Sequence, residues 1–411
     1  VLIPILALSL AADWPAWRGP ERNGLSPDTG LLKRWPSGGP PLAFRAGGLG
    51  NGFSSLAIAG SRILTMGDRG ADQYVIAVDG EDGRQLWAAR VGAAWEDEYS
   101  GPRSTPTVDG DRVYAISTDG DLVCLDLATG KERWRKSISR DYRGGMMSGW
   151  RFAESPLVDG DRVVFTPGAP KALLAAVDKM TGKEIWRSAT PQFGARGKDG
   201  AAYSSIVVSN AGGVRQYVQL TGRGLVGVRA ADGWVLWSYN RIANDVANIP
   251  TPIVNGDHVF AATGYSTGSA LLRLVKNGDK FDAQEVYFLG PNVFQNHHGG
   301  MVLVGDHLYA GQGHNRGFPI CIEFLTGKVK WGGDIRNAGS GSAAVTYADG
   351  NLYFRYQNGI MLLIEATPEG YREQGSFEIP APRTYSWSHP VVTNGRLYLR
   401  EQDALLVYKL R

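Results

Sequence analysis

Cysteine is almost missing from this chain of 411 residues: only Cys124 and Cys321 occur. Neither a bridged pair of adjacent cysteines nor a C-x-x-C-H haem attachment can therefore be built from it. Charge of one sign is not in excess, with 43 Lys and Arg against 40 Asp and Glu and a formal charge of +3. Without a Lys/Arg run, that balance excludes a nucleic-acid partner. The motifs G-x-S-x-G and H-E-x-x-H and a phosphate loop are missing too, so no familiar hydrolase, zinc protease or nucleotide site is announced. Apolar runs of membrane-spanning length are also lacking. VLIPILALSLAA, residues 1–12, is too short to cross a bilayer and ends in small residues before Asp13. It reads as the end of a truncated signal peptide, implying a periplasmic or secreted protein, with a buried N-terminal strand as the alternative.

What the chain does have is a repeated phrase. AVDGEDGRQLW ends at Trp87, CLDLATGKERW at Trp134, AVDKMTGKEIW at Trp186, GVRAADGWVLW at Trp237 and CIEFLTGKVKW at Trp331. Each copy has a small residue ten positions before its Trp and Gly four positions before it. An apolar strand, a tight turn whose Gly supplies positive φ and a second strand make a β-hairpin. A second hairpin precedes it, as in STPTVDGDRVYAIS from Ser104 and ESPLVDGDRVVFTP from Glu154. Two hairpins per period of about 40 to 50 residues give the four strands of a propeller blade.

Inner strands begin near Ser54, Ser104, Glu154, Tyr203, Pro250, His298, Ser342 and Ser388, but only seven outer strands follow, with Phe288 and Phe377 at the Trp position of the fifth and seventh. The eighth lies at the other terminus, where PPLAFRAG places Phe44 one period before Trp87. The fold expected is all-β: an eight-bladed propeller of four-stranded blades over residues 40–411, closed by an N-terminal strand joining the C-terminal blade, after a lead at residues 13–39. Cys124 and Cys321 hold the same repeat position in blades 2 and 6, too far apart for a disulfide. They read as small core residues.

The phrase resembles the tryptophan-docking repeat of quinoproteins, A-x-D-x-x-T-G-x-x-x-W, shared by eight-bladed dehydrogenases that use pyrroloquinoline quinone (PQQ) and by a cofactor-free propeller lipoprotein of outer-membrane assembly. Ala77, Asp79, Gly83 and Trp87 fit it, as do Asp126, Thr129, Gly130 and Trp134. The WPAWRGPERNGLSP opening and the FQNHHGGMVLVGDHLYAGQGHNRGFPICIEF stretch resemble more closely a group of secreted bacterial propellers with PQQ-like repeats. The resemblance implies that Trp87, Trp134, Trp186, Trp237 and Trp331 are structural, each stacking between the small residue of its own repeat and the turn of the next. PQQ with Ca²⁺ is a cofactor implied by the resemblance alone, the cofactor being otherwise unknown.

In a propeller the turns within each of the two hairpins lie on one face, and here they are short. The irregular loops share the other face, where a rigid scaffold places binding groups. His297, His298, His314 and His389 map to that rim, while His258 and His307 replace Arg112 and Arg162 in short turns. Arg151 and Arg316 join them there with Trp150 and Trp387. Guanidinium and flat aromatic groups suit a small planar or anionic ligand, or else pack the loops. The histidines can contact that ligand, bind metal or cap loops. The expected function is an exported, monomeric module binding a ligand or a protein partner through this face. The alternative is a PQQ-dependent dehydrogenase acting on an alcohol or sugar.

Overall fold

The computed structural model describes residues 13–380 and 385–411, so the signal-peptide reading of residues 1–12 lies outside the described residues. Eight sheets make up the molecule. Six are built only from strands consecutive in the chain, beginning with Ala57–Ala59, Arg62–Arg69, Asp72–Asp79 and Gln85–Ala93 in blade 1, and the blade 7 sheet adds Leu25–Ser26 to four consecutive strands. The eighth combines Val391–Thr393, Arg396–Glu401 and Ala404–Lys409 with Leu42–Ala46 from the other terminus. Leu42 pairs with Tyr408 and Ala46 with Leu405, antiparallel. The ring is therefore closed by the strand that the repeat count predicts.

Among the described residues, eight apolar clusters each lie between two successive blades around the ring, and a ninth, smaller one gathers Met147, Ala153, Ala202, Tyr203 and Ala247. The repeated phrase explains these seams. Asp126 Oδ1 accepts hydrogen bonds from the amide and hydroxyl of Thr129, and Gly130 follows at φ +72°, which shapes the turn. The flat Gly130 then receives the Trp87 ring of the preceding blade, and a Cβ there would stand 2.6 Å from it. The same indole donates to Leu127 O at 3.0 Å. Trp134 and Trp186 repeat the arrangement on Gly182 and Gly233, donating to Lys179 O and Ala230 O. Across from Trp134 in the sheet is Cys124; both cysteines are buried and free.

Blade 5 departs from the sequence expectation. Phe288 pairs with Ala270 in register, but it is Tyr287 that rests on Gly327 of the next blade, its hydroxyl donating to Phe324 O at 2.7 Å. Phe288 instead faces Arg241, whose guanidinium lies 3.9 Å from the ring centroid. The register irregularity follows Leu271, so Tyr287 opposite Leu271 holds the place that Trp87 holds opposite Ala77, where the irregularity follows Ala77. Trp237 has its indole N–H on Gln216 of its own blade rather than on a neighbouring turn. At the closure, Phe377 meets Gly39 and Phe44 meets Gly83, so the seams continue across the break in the chain.

The lead does not hang outside the ring. Trp14 bridges to Ile58, Pro15 O accepts from Val108, and Arg22 donates to Ser155 O and Pro156 O. Farther on, Leu25–Ser26 pairs in parallel with Tyr347 and Ala348 of blade 7. These contacts with inner strands on opposite sides of the ring place residues 13–26 across its central channel. Asp13 accepts from Gly60 N in a short turn, which fixes the crossing at the short-turn end.

Candidate functional site

In blades 1 to 4 the inner strand is preceded by hydroxyl residues that knit one blade to the next. Ser55 N donates to Thr105 Oγ1, Thr105 N to Ser155 Oγ and Ser155 N to Ser205 Oγ, at 3.1, 2.9 and 3.0 Å. This spiral holds the loop bases rigidly around a cavity of about 540 Å³. Ser155 and Ser205 line it, with Trp17 and Arg18 contributed by the lead that closes the channel. A space of this size suits a small molecule.

All four rim histidines reach the cavity. His297 lies 4.1 Å from His314 and 4.3 Å from His298, measured between ring centres. His389 reaches them from blade 8, its Nε2 lying 3.2 Å from His298 O. Because a carbonyl only accepts, His389 carries its proton on Nε2 and leaves Nδ1 as a bare acceptor. His314 Nδ1 accepts from Tyr265 N, which puts its proton on Nε2 as well. Burial drives the imidazoles towards neutrality: His298 and His389 are pulled down to about 3, and His297 is lowered further, by burial first and then by its two histidine neighbours. Arg18 adds to the depression of His389. These groups are neutral hydrogen-bonding partners near pH 7, not cations. Tyr265, which packs on His314, holds φ at +54°, a strained backbone for a bulky residue and one of the places where binding sites store strain.

Aromatic rings cover much of the remaining wall. Trp387 stacks on Tyr385 with planes 9° apart and touches Phe53, Tyr99 and His298. Trp150 meets Tyr203 edge-on. Arg103 lies over Trp95 and donates to the carbonyls of Tyr99 and Trp150. Of the residues expected from the sequence, His297, His298, His314, His389, Trp150 and Trp387 converge on the cavity, while Arg151 and Arg316 stay outside its lining. Arg151 is half-exposed and faces Asp119 at 3.5 Å. Sequence reasoning passed over Trp17 and Arg18 because it followed the repeats, and the lead has none. The density of Trp, Arg and Gly in WPAWRGPERNG was the available signal.

The residues present do not fit a calcium–quinone pair. Ca²⁺ takes several oxygen ligands, carboxylates among them. Among the described residues, no Asp or Glu lines the cavity, and no group of three or more His, Cys, Asp or Glu is disposed to hold a metal ion. The acids nearby are committed elsewhere. Glu401 is buried in an ion pair with Arg355 at 2.7 Å. Glu154, pushed up to about 8 by burial, accepts from Thr166 and Gln219.

A family model described as outer membrane protein assembly factor BamB matches residues 71–333. Curated relatives carry the same name. One from Shewanella oneidensis is 26% identical over 256 residues, covering 60% of this chain and 60% of its own. Another from Kangiella koreensis is 27% identical over 191 residues, covering 42% of this chain and 40% of its own. The chain thus spans about half the length of these relatives. In three dimensions it is similar to a quinohemoprotein alcohol dehydrogenase, ADHIIG from Pseudomonas putida HK5, with a TM-score of 0.66, 13% identity and coverage of 97% and 80% of the two chains. At that identity the likeness speaks for the fold.

Proposed function

The chain belongs to this family of PQQ-like β-propellers, and from that premise we propose that it is an exported binding module whose ligand enters the axial cavity from the irregular face. One observation carries the reading: six residues singled out by their place on the irregular rim all line a single aromatic cavity whose far end is closed by the lead. Neutral imidazoles, two guanidiniums and flat rings in one concave site supply orientation and stacking at once. A protein partner on the same face is a second reading, and relatives named as assembly factors support it. Export to the periplasm or medium belongs to the same proposal, with mature protein beginning close to Asp13.

The test is a ligand screen by thermal shift, repeated on the double variant His297→Ala and His298→Ala and on a control double variant, His258→Ala and His307→Ala. A hit lost only in the rim variant supports the cavity. A hit lost equally in both, or kept in the rim variant, moves the site elsewhere. Quinone-dependent dye reduction with an alcohol or sugar would replace the binding module by a dehydrogenase.

A further inference from the structure

Arg18 is a buried cation without a counter-ion. Its residue is 5% exposed, and among the described residues it makes no ion pair. One terminal nitrogen, Nη2, donates to Asn23 O and Met301 O, whereas Nη1 is buried and has no partner. Burial lowers the guanidinium only to about 10, so it stays charged at neutral pH. A buried charge left unpaired costs several kcal/mol.

The surroundings are shaped around this group. Gly24 and Gly300 both take positive φ and approach the guanidinium so closely that a Cβ on Gly24 would stand 2.7 Å from Nη2 and one on Gly300 would collide with Nη1. That Gly300 position also lies 3.2 Å from His389 Cε1, so the bare acceptor ring of His389 is Arg18's neighbour. His389 Nδ1 is buried and unpartnered as well, and so is His298 Nε2. Three orphaned polar atoms therefore belong to residues lining the same cavity. Flat surfaces stand beside them: Trp17 lies 4.5 Å from His389, and Trp387 lies 4.9 Å from His298.

We propose that Arg18, carried into the ring by the lead, anchors the ligand, and that the ligand is a planar ring acid with an N–H or O–H donor next to its carboxylate. The carboxylate takes Arg18 Nη1, the adjacent donor meets His389 Nδ1, and the ring plane lies among Trp17, His298 and Trp387. Charge pairing with a buried guanidinium is stronger than a neutral contact, and a bare imidazole nitrogen selects a donor over an acceptor. This inference rests on the cavity being the binding site.

Indole-2-carboxylate, benzofuran-2-carboxylate and indole-2-carboxamide are suitable probes, read by calorimetry and by quenching of tryptophan fluorescence. The indole acid should bind with quenching and should exceed both the amide and the benzofuran acid by about tenfold or more. Arg18→Gln should abolish the preference for acid over amide, and Arg18→Lys should restore part of it. Should Arg18→Gln fail to fold, the comparison of acid with amide on the unaltered chain decides. Equal binding of acid and amide, full acid affinity in Arg18→Gln, or no binding of the indole acid would overturn the proposal. If other ligands still bind in a manner that depends on His297 and His298, the cavity reading survives that loss; if none does, both fall.

Discussion

His298 and His389 are held neutral in the fold, and their titration has a sign that can be measured. Their folded pKa of about 3 lies below the ordinary value of 6.5. Acidification through 6.5 therefore protonates the unfolded chain first, and stability present above that pH is lost as pH falls toward 3. Each group contributes a slope of about 1.4 kcal/mol per pH unit. Glu154 opposes them: with its pKa raised from 4.5 to about 8, its contribution is full below 4.5 and lost as pH rises through 8. Two depressed histidines outweigh one raised carboxyl, so the melting temperature should fall between pH 6.5 and 4.5, and His389→Gln should flatten that fall. A steeper fall in the variant would contradict the assignment. The segregation of the histidines was legible because repeat alignment separates His258 and His307 in short turns from the four on the rim. Their neutrality was not, since it depends on burial that only the closed ring creates.

Strand pairs were the most legible element, because alternation and the Asp, Thr and Gly of each turn act locally. The seam residues were legible only where the hairpin keeps the common length. In blade 5 the hairpin is longer, so spacing counted along the chain lands on Phe288, whereas Tyr287, opposite Leu271 at the register irregularity, makes the inter-blade contact. Truncating the residue that fills the seam should cost more. Tyr287→Ala is expected to lower stability by about 3 kcal/mol and Phe288→Ala by about half that, since Phe288 packs only partly buried at the edge of the seam with blade 4, beside Arg241. Tyr287→Phe should lose about 1 kcal/mol, the worth of its bond to Phe324 O. Chemical denaturation of the three variants checks the order, and a larger loss in Phe288→Ala would reverse the reading.

The whole ring depends on a strand that the chain supplies from its opposite end. Deleting residues 40–48 removes the partner of Ala404–Lys409 and takes Phe44 away from Gly83. The shortened chain should melt at lower temperature and self-associate through the bared edge, as calorimetry and light scattering would show. An unchanged melting temperature in a monomeric product would mean that closure is dispensable. The crossing of the channel by residues 13–26 has a kinetic consequence. This segment is separated from its partners, Val108, Ser155, Thr251, Met301 and Tyr347, by long stretches of chain. Contacts so distant along the chain are slow to form. The crossing segment can therefore complete its contacts only after blade 7 has formed, and refolding from denaturant should end in a slow phase reported by Trp17.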